Sequence, residues 1–123
     1  MGKEIYKLGL GKSDSFAEVV SEFPKKIEAT VIETVGYEFG SMQTVLYVFE
    51  RFFIRTESMA TLTVLFTNSG QQIIVDVIAS GAGEGVLNIS WGANRSFAKM
   101  AVDSLQNQGF QIISGRTPEK PDM

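Results

Sequence analysis

The sequence predicts an α+β domain in the order strand, helix, four or five antiparallel strands, helix, with both helices on one face of a curved sheet. Three observations predict it. Apolar residues recur at helical spacing in two stretches, Phe16 to Phe23 and Phe97 to Leu105. Between them, from Thr30 to Ser80, the apolar period shifts towards two and the residues become β-branched and aromatic. The breaks in that run, Gly40-Ser41, Thr56-Glu57-Ser58 and Asn68-Ser69-Gly70, are short enough to demand antiparallel neighbours.

In chain order, Ile5 to Leu10 reads as a short strand ended by Gly11. The polar run Lys12, Ser13, Asp14, Ser15 supplies N-cap oxygens for a helix. Phe16, Val19, Val20 and Phe23 fall on one face of that helix, and Glu18, Ser21 and Glu22 on the other. Pro24 kinks or ends it, and Lys25 to Ala29 adds up to one more turn, with Ile27 as its apolar contact. Four strands follow at about Thr30 to Phe39, Met42 to Arg55, Met59 to Thr67 and Gln71 to Ser80.

A turn centred on Ser69-Gly70 places Phe66 opposite Ile73, Val64 opposite Val75, Leu62 opposite Val77 and Ala60 opposite Ala79, a wholly apolar face. The other face of this hairpin holds Leu65, Ile74 and Ile78 among threonines. After the Gly81 to Gly85 loop, Val86 to Trp91 reads as a fifth strand. A second helix, capped by Asn94 or Ser96, then buries Phe97, Ala98, Ala101, Val102 and Leu105 and stops at Gly109. Phe110 to Ile113 packs near its end.

The chain has 123 residues, 44% hydrophobic and 20% charged, which fits one domain over 1–115. Residues 116–123, with Pro118 and Pro121 among charges, have the composition of a disordered tail. The net charge of −3 gives no field to attract phosphate backbones, so nucleic acid is not an expected partner. The adjacent Lys25 and Lys26 are too few for a basic tract and read as a solvated corner. There is no signal-like start and no apolar run near the ~20 residues that span a bilayer. A cytoplasmic protein without a membrane segment is expected.

The chain lacks both Cys and His. Disulfides, thiolate chemistry, a Ser-His pair and the common zinc sets are therefore excluded. No cofactor or metal is expected. A catalyst would have to use carboxylates, Lys, Tyr or hydroxyls, each needing a shifted pKa or a metal, and the carboxylate version would rest on Glu50, Asp76 or Glu84. No carboxylate pair or nucleophile motif stands out, so an enzyme is not the expected reading.

Four places could carry function. The apolar string Val45 to Arg55 holds Glu50 beside Arg51, so one of the two faces inward. A two-residue turn at Glu57-Ser58 puts Phe49, Arg51 and Phe53 on the core side, and a three-residue turn puts Glu50, Phe52 and Ile54 there. An inward charge anchors a ligand or pairs with Asp76, Glu33 or Arg95. Trp91 and Arg95 flank the bend before the last helix, where a pocket mouth between sheet and helix is expected. Arg51, Trp91 and Arg95 are thus the candidate ligand-binding residues. The Ser80 to Gly85 loop could cradle an anion but leads into a strand and carries Glu84, so it reads as a connection. Finally, Leu65, Ile74 and Ile78 form a candidate interface, and a homodimer is expected.

The strand order is similar to the TATA-binding-protein-like and helix-grip folds, a likeness that says little about function. The Val48-Phe49-Glu50-Arg51-Phe52 string, the Ser80-Gly81 strand end and the stretch from Trp91-Gly92 to Phe97 resemble a family of small uncharacterised bacterial proteins, a domain of unknown function. The likeness runs over about Phe16 to Leu105. It implies a small intracellular bacterial protein without an assigned activity and carries over no site residue. The expected function is a non-catalytic module that forms homo-oligomers or binds a partner. The alternatives are a small-molecule binder with a pocket between sheet and C-terminal helix, and a carboxylate enzyme.

Overall fold

The computed structural model describes residues 3–11, 15–54, 57–81 and 90–116. Among them lie β1 (Glu4–Gly11), α1 (Phe16–Glu22), a 3-10 turn (Phe23–Lys26), β2 (Thr30–Phe39), β3 (Met42–Phe53), β4 (Ser58–Asn68), β5 (Gln72–Ser80), α2 (Ser90–Asn107) and β6 (Gln111–Arg116). The strands form one curved, open, antiparallel sheet in the order β2-β3-β4-β5-β1-β6. Residues 117–123 lie outside the described residues.

The alternation read from the sequence becomes two unlike faces. Leu8, Phe49, Leu62, Val64, Phe66, Val75 and Val77 are fully buried and share the core face. Phe23, at the junction of α1 and the 3-10 turn, packs edge-on against Phe49 and Phe66, with ring centroids 5.9 and 5.4 Å away. Pro24 is the physical cause of that turn, since it cannot extend the α-helical ladder. The Tyr47 hydroxyl donates to the Val20 carbonyl at 3.0 Å and fastens α1 to β3. At the other end of β3, Phe53 meets Phe97 of α2 at 5.5 Å.

α2 buries the expected stripe of Phe97, Ala98, Ala101, Val102 and Leu105. Its end is also as expected: Gly109 has φ +102°, the Phe110 N–H donates to the Leu105 carbonyl, and the Gly109 N–H to that of Gln106.

Four expectations need correction. Ser90 and Trp91 open α2 instead of ending a strand, and the rest of that segment, 86–89, lies outside the described residues. Asn94, which is buried, and Ser96 therefore both lie within the helix and do not cap it. The chain after Gly109 is a strand, β6, paired with β1. The β4–β5 register is displaced by two residues, so Phe66 faces Val75, Val64 faces Val77 and Leu62 faces Ala79. The cause is a wider turn. Asn68 pairs with Ile73, and the Ser69 hydroxyl accepts the N–H groups of Gln71 and Gln72 while the Asn68 carboxamide oxygen accepts that of Gly70. A shift of two keeps every side chain on its expected face.

Candidate functional site

The question left open around Glu50 and Arg51 is settled by the β3–β4 register. Phe53 pairs with Ser58, so the link holds four residues, with the same parity as a two-residue turn. Arg51 accordingly lies on the core side, between Phe49 and Phe53, and Glu50 on the opposite face. The Arg51 guanidinium lies 4.9 Å from the centre of the Phe53 ring, donates to the Glu28 carbonyl at 3.2 Å and sits 3.7 Å from the Glu28 carboxylate. Its partner is thus Glu28, which was not among those expected. Asp76 lies on the opposite face of the sheet and pairs there with Lys7 of β1.

Arg95, on α2, lies 3.8 Å from the Glu4 carboxylate. Arg51 and Glu4 stand at the same end of the sheet, but β4 and β5 separate their strands, a gap of about 14 Å at ~4.8 Å per strand. Arg51 and Arg95 therefore serve different carboxylates. Trp91 belongs to the first turn of α2. Glu84, with most of the glycine-rich loop, lies outside the described residues.

The sequence reading missed Glu4. It is 4% exposed, and the Tyr6 hydroxyl donates to its Oε1 at 3.1 Å while Arg95 approaches Oε2. Burial, then the charge of Glu4 and the hydrogen bond to it, raise the Tyr6 pKa above its ordinary value, and Arg95 partly offsets this. Tyr6 is therefore a hydrogen-bond donor near neutral pH, not a phenolate base. The signal was present in the alternation: Glu4, Tyr6 and Leu8 share the face that Leu8 buries. Among the described residues no three His, Cys, Asp or Glu side chains gather as a metal site. A solvent-open hollow of about 300 Å³ lies beside Lys26, Met100 and Asp103, away from Arg51 and Arg95.

The second face of the sheet differs in character from these polar pairs. Leu65, Ile74 and Ile78 lie on it, all half-buried. Gly9 of β1 lies opposite Ile74, and the space a side chain would fill there is taken by Ile74 and by Ile113 of β6. Around this centre, Tyr37, Phe39, Met42, Phe52, Met59 and Ile113 are exposed by 42 to 68%. Tyr37 and Phe39 stack at 6.1 Å. The Lys7–Asp76 pair neutralises its own charge at the centre of this face.

A family model, described as a family of unknown function (DUF6054), matches residues 7–109. The chain belongs to that family. No curated protein and no solved structure gives a match. The match runs from within β1 to the end of α2 and confirms the resemblance to an uncharacterised domain family. No helix among the described residues of this DUF6054 chain is long and apolar enough to cross a membrane.

Proposed function

We propose that the protein is a non-catalytic, self-associating cytoplasmic module whose second sheet face packs on the same face of another copy. Both helices then lie on the core face, in a TATA-binding-protein-like or helix-grip-like arrangement, and leave the opposite face free. The contacts of Phe23 with Phe49 and Phe66, and of Phe97 with Phe53, support this placement.

The observation that carries the reading is the size of the second face together with the apolar side chains that Leu65, Ile74, Ile78 and their exposed neighbours set across it. Six strands at ~4.8 Å, about eight residues long at ~3.4 Å each, give a footprint of about 800 Å². That is the whole face, its threonines and Glu50 included, and it matches the ~800 Å² per partner of a standard protein interface. A face whose central charges cancel internally suits its own copy, because two-fold packing brings no uncompensated Lys7 against Lys7. Leu65, Ile74 and Ile78 supply the apolar centre and the aromatic and methionine side chains its surround.

The test is the solution mass of the wild type and of Ile74→Lys at one concentration. The wild type is expected at a multiple of 13.5 kDa, and the variant at half the wild-type mass. A monomeric wild type, or an unchanged mass in the variant, rejects the reading.

A further inference from the structure

The two edges of the sheet are built differently. β6 is six residues long, and its pairing with β1 is interrupted by a register shift at Lys7 and Leu8. Shortness and irregularity of this kind protect a free edge from pairing. β2, the other edge, is ten residues long, and nine of them are exposed. Its sequence, TVIETVGYEF, contains no Lys, Arg or Pro, and its edge protection is confined to Glu33, Glu38 and a bulge near its start. One bulge at Ile32 leaves Glu33 to Phe39 as an uninterrupted seven-residue ladder.

Gly36 is the midpoint of that ladder. Its own fold does not explain it: the backbone is not left-handed there, and an added Cβ would meet the Thr44 carbonyl at an ordinary 3.6 Å. Glycine inside a strand weakens it and often marks a point where another backbone approaches closely.

We propose that β2 pairs antiparallel with β2 of a second copy, about a two-fold axis through Gly36. This register sets Gly36 opposite Gly36, Val35 opposite Tyr37, Thr34 opposite Glu38 and Glu33 opposite Phe39. No glutamate meets a glutamate, and a β-branched residue meets an aromatic one, a favourable cross-strand pair. Sliding by two residues in either direction shortens the regular ladder from seven residues to five. Sliding by one is excluded because it joins the core face of one copy to the second face of the other. The paired edge uses none of Leu65, Ile74 and Ile78, so it stands apart from the face-to-face contact.

The absence of cysteine from the chain makes a symmetric cross-link the direct test. In this register Gly36→Cys places two Cα atoms ~4.5–5.5 Å apart, inside the range a disulfide spans. Thr34→Cys, equally exposed, places its two copies about 13 Å apart along the strands. Under mild oxidation Gly36→Cys is expected to cross-link at least ten-fold faster than Thr34→Cys. An equimolar mixture of Thr34→Cys and Glu38→Cys is expected to form the mixed dimer in preference to either homodimer. Equal rates at 36 and 34, or no preference in the mixture, overturn the proposal. Adding Ile74→Lys leaves the cross-link at 36 in place, so failure of the face contact and failure of the edge contact are read separately.

Discussion

Replacing Phe23 with alanine tests whether one ring fastens the α1 region to the sheet. The ring is fully buried and lies within 6.3 Å of three aromatic neighbours, Tyr47, Phe49 and Phe66. A Phe→Ala change in a packed core costs about 3–5 kcal/mol, since the transfer energy is lost and the cavity closes only in part. Loss of the edge-on ring pairs places Phe23 in the upper half of that range. A chain of 123 residues at ~2.1 cal/mol/K each has an unfolding entropy near 0.26 kcal/mol/K, so ~4 kcal/mol lowers Tm by about 15 °C. Ile54→Ala is the control, because Ile54 is 81% exposed and its loss stays within ~0.5 kcal/mol, or about 2 °C. Both are read by calorimetry at one protein concentration, as self-association makes Tm concentration-dependent. If Phe23→Ala shifts Tm by less than about 5 °C, the ring does not hold the two layers together and the packing argument fails.

Other expectations follow from the polar groups and the short strand. Tyr6 and Tyr47 both have folded pKa values raised above 10, Tyr6 by burial and Glu4 and Tyr47 by burial. The stability they carry is complete below the unfolded tyrosine pKa and falls as pH rises from about 10 through the folded values. Urea titrations from pH 9 to 11 are expected to show this fall, and Tyr47→Phe to lessen it. Gly115→Ala would drive a methyl group into the Tyr6 ring, so β6 is expected to detach from β1. Faster amide exchange across 111–116, with β4 unchanged, is the readout. Glu28 is 85% exposed in its pair with Arg51, so Glu28→Ala is expected to move Tm by under about 2 °C. Arg51→Ala removes the contact with Phe53 and the bond to the Glu28 carbonyl, and is expected to cost about 1 kcal/mol by denaturant titration.

The strands were legible because β3, β4 and β5 each bury one face, and a buried face imposes a period of two that survives errors in turn length. The β4–β5 turn illustrates this: side-chain bonds from Asn68 and Ser69 widen it by two residues, and every face stays as read. The start of α2 was misread because Val86 to Trp91 alternates like a strand, and the helical stripe becomes visible only from Phe97. β6 was missed because its length falls near the minimum for a pattern, although the β-branched pair Ile112-Ile113 was a signal. Glu4 stood one residue before the first recognised strand position, and a charged residue next to a chain start reads as solvated. The alternation places it on the face of Tyr6 and Leu8, but Arg95 is distant in sequence, so the ion pair itself was not legible from local pattern. The partner of Arg51 was hidden for the same reason, since Glu28 reaches it only through the path of the chain after Pro24.

In the proposed assembly Leu65, Ile74 and Ile78 meet the same face of another copy. Isotope-filtered methyl contacts in a mixture of labelled and unlabelled protein measure this without any substitution. Contacts between copies are expected from all three of these methyl-bearing side chains. Contacts between copies that involve other surfaces alone, with none from these three, would contradict it.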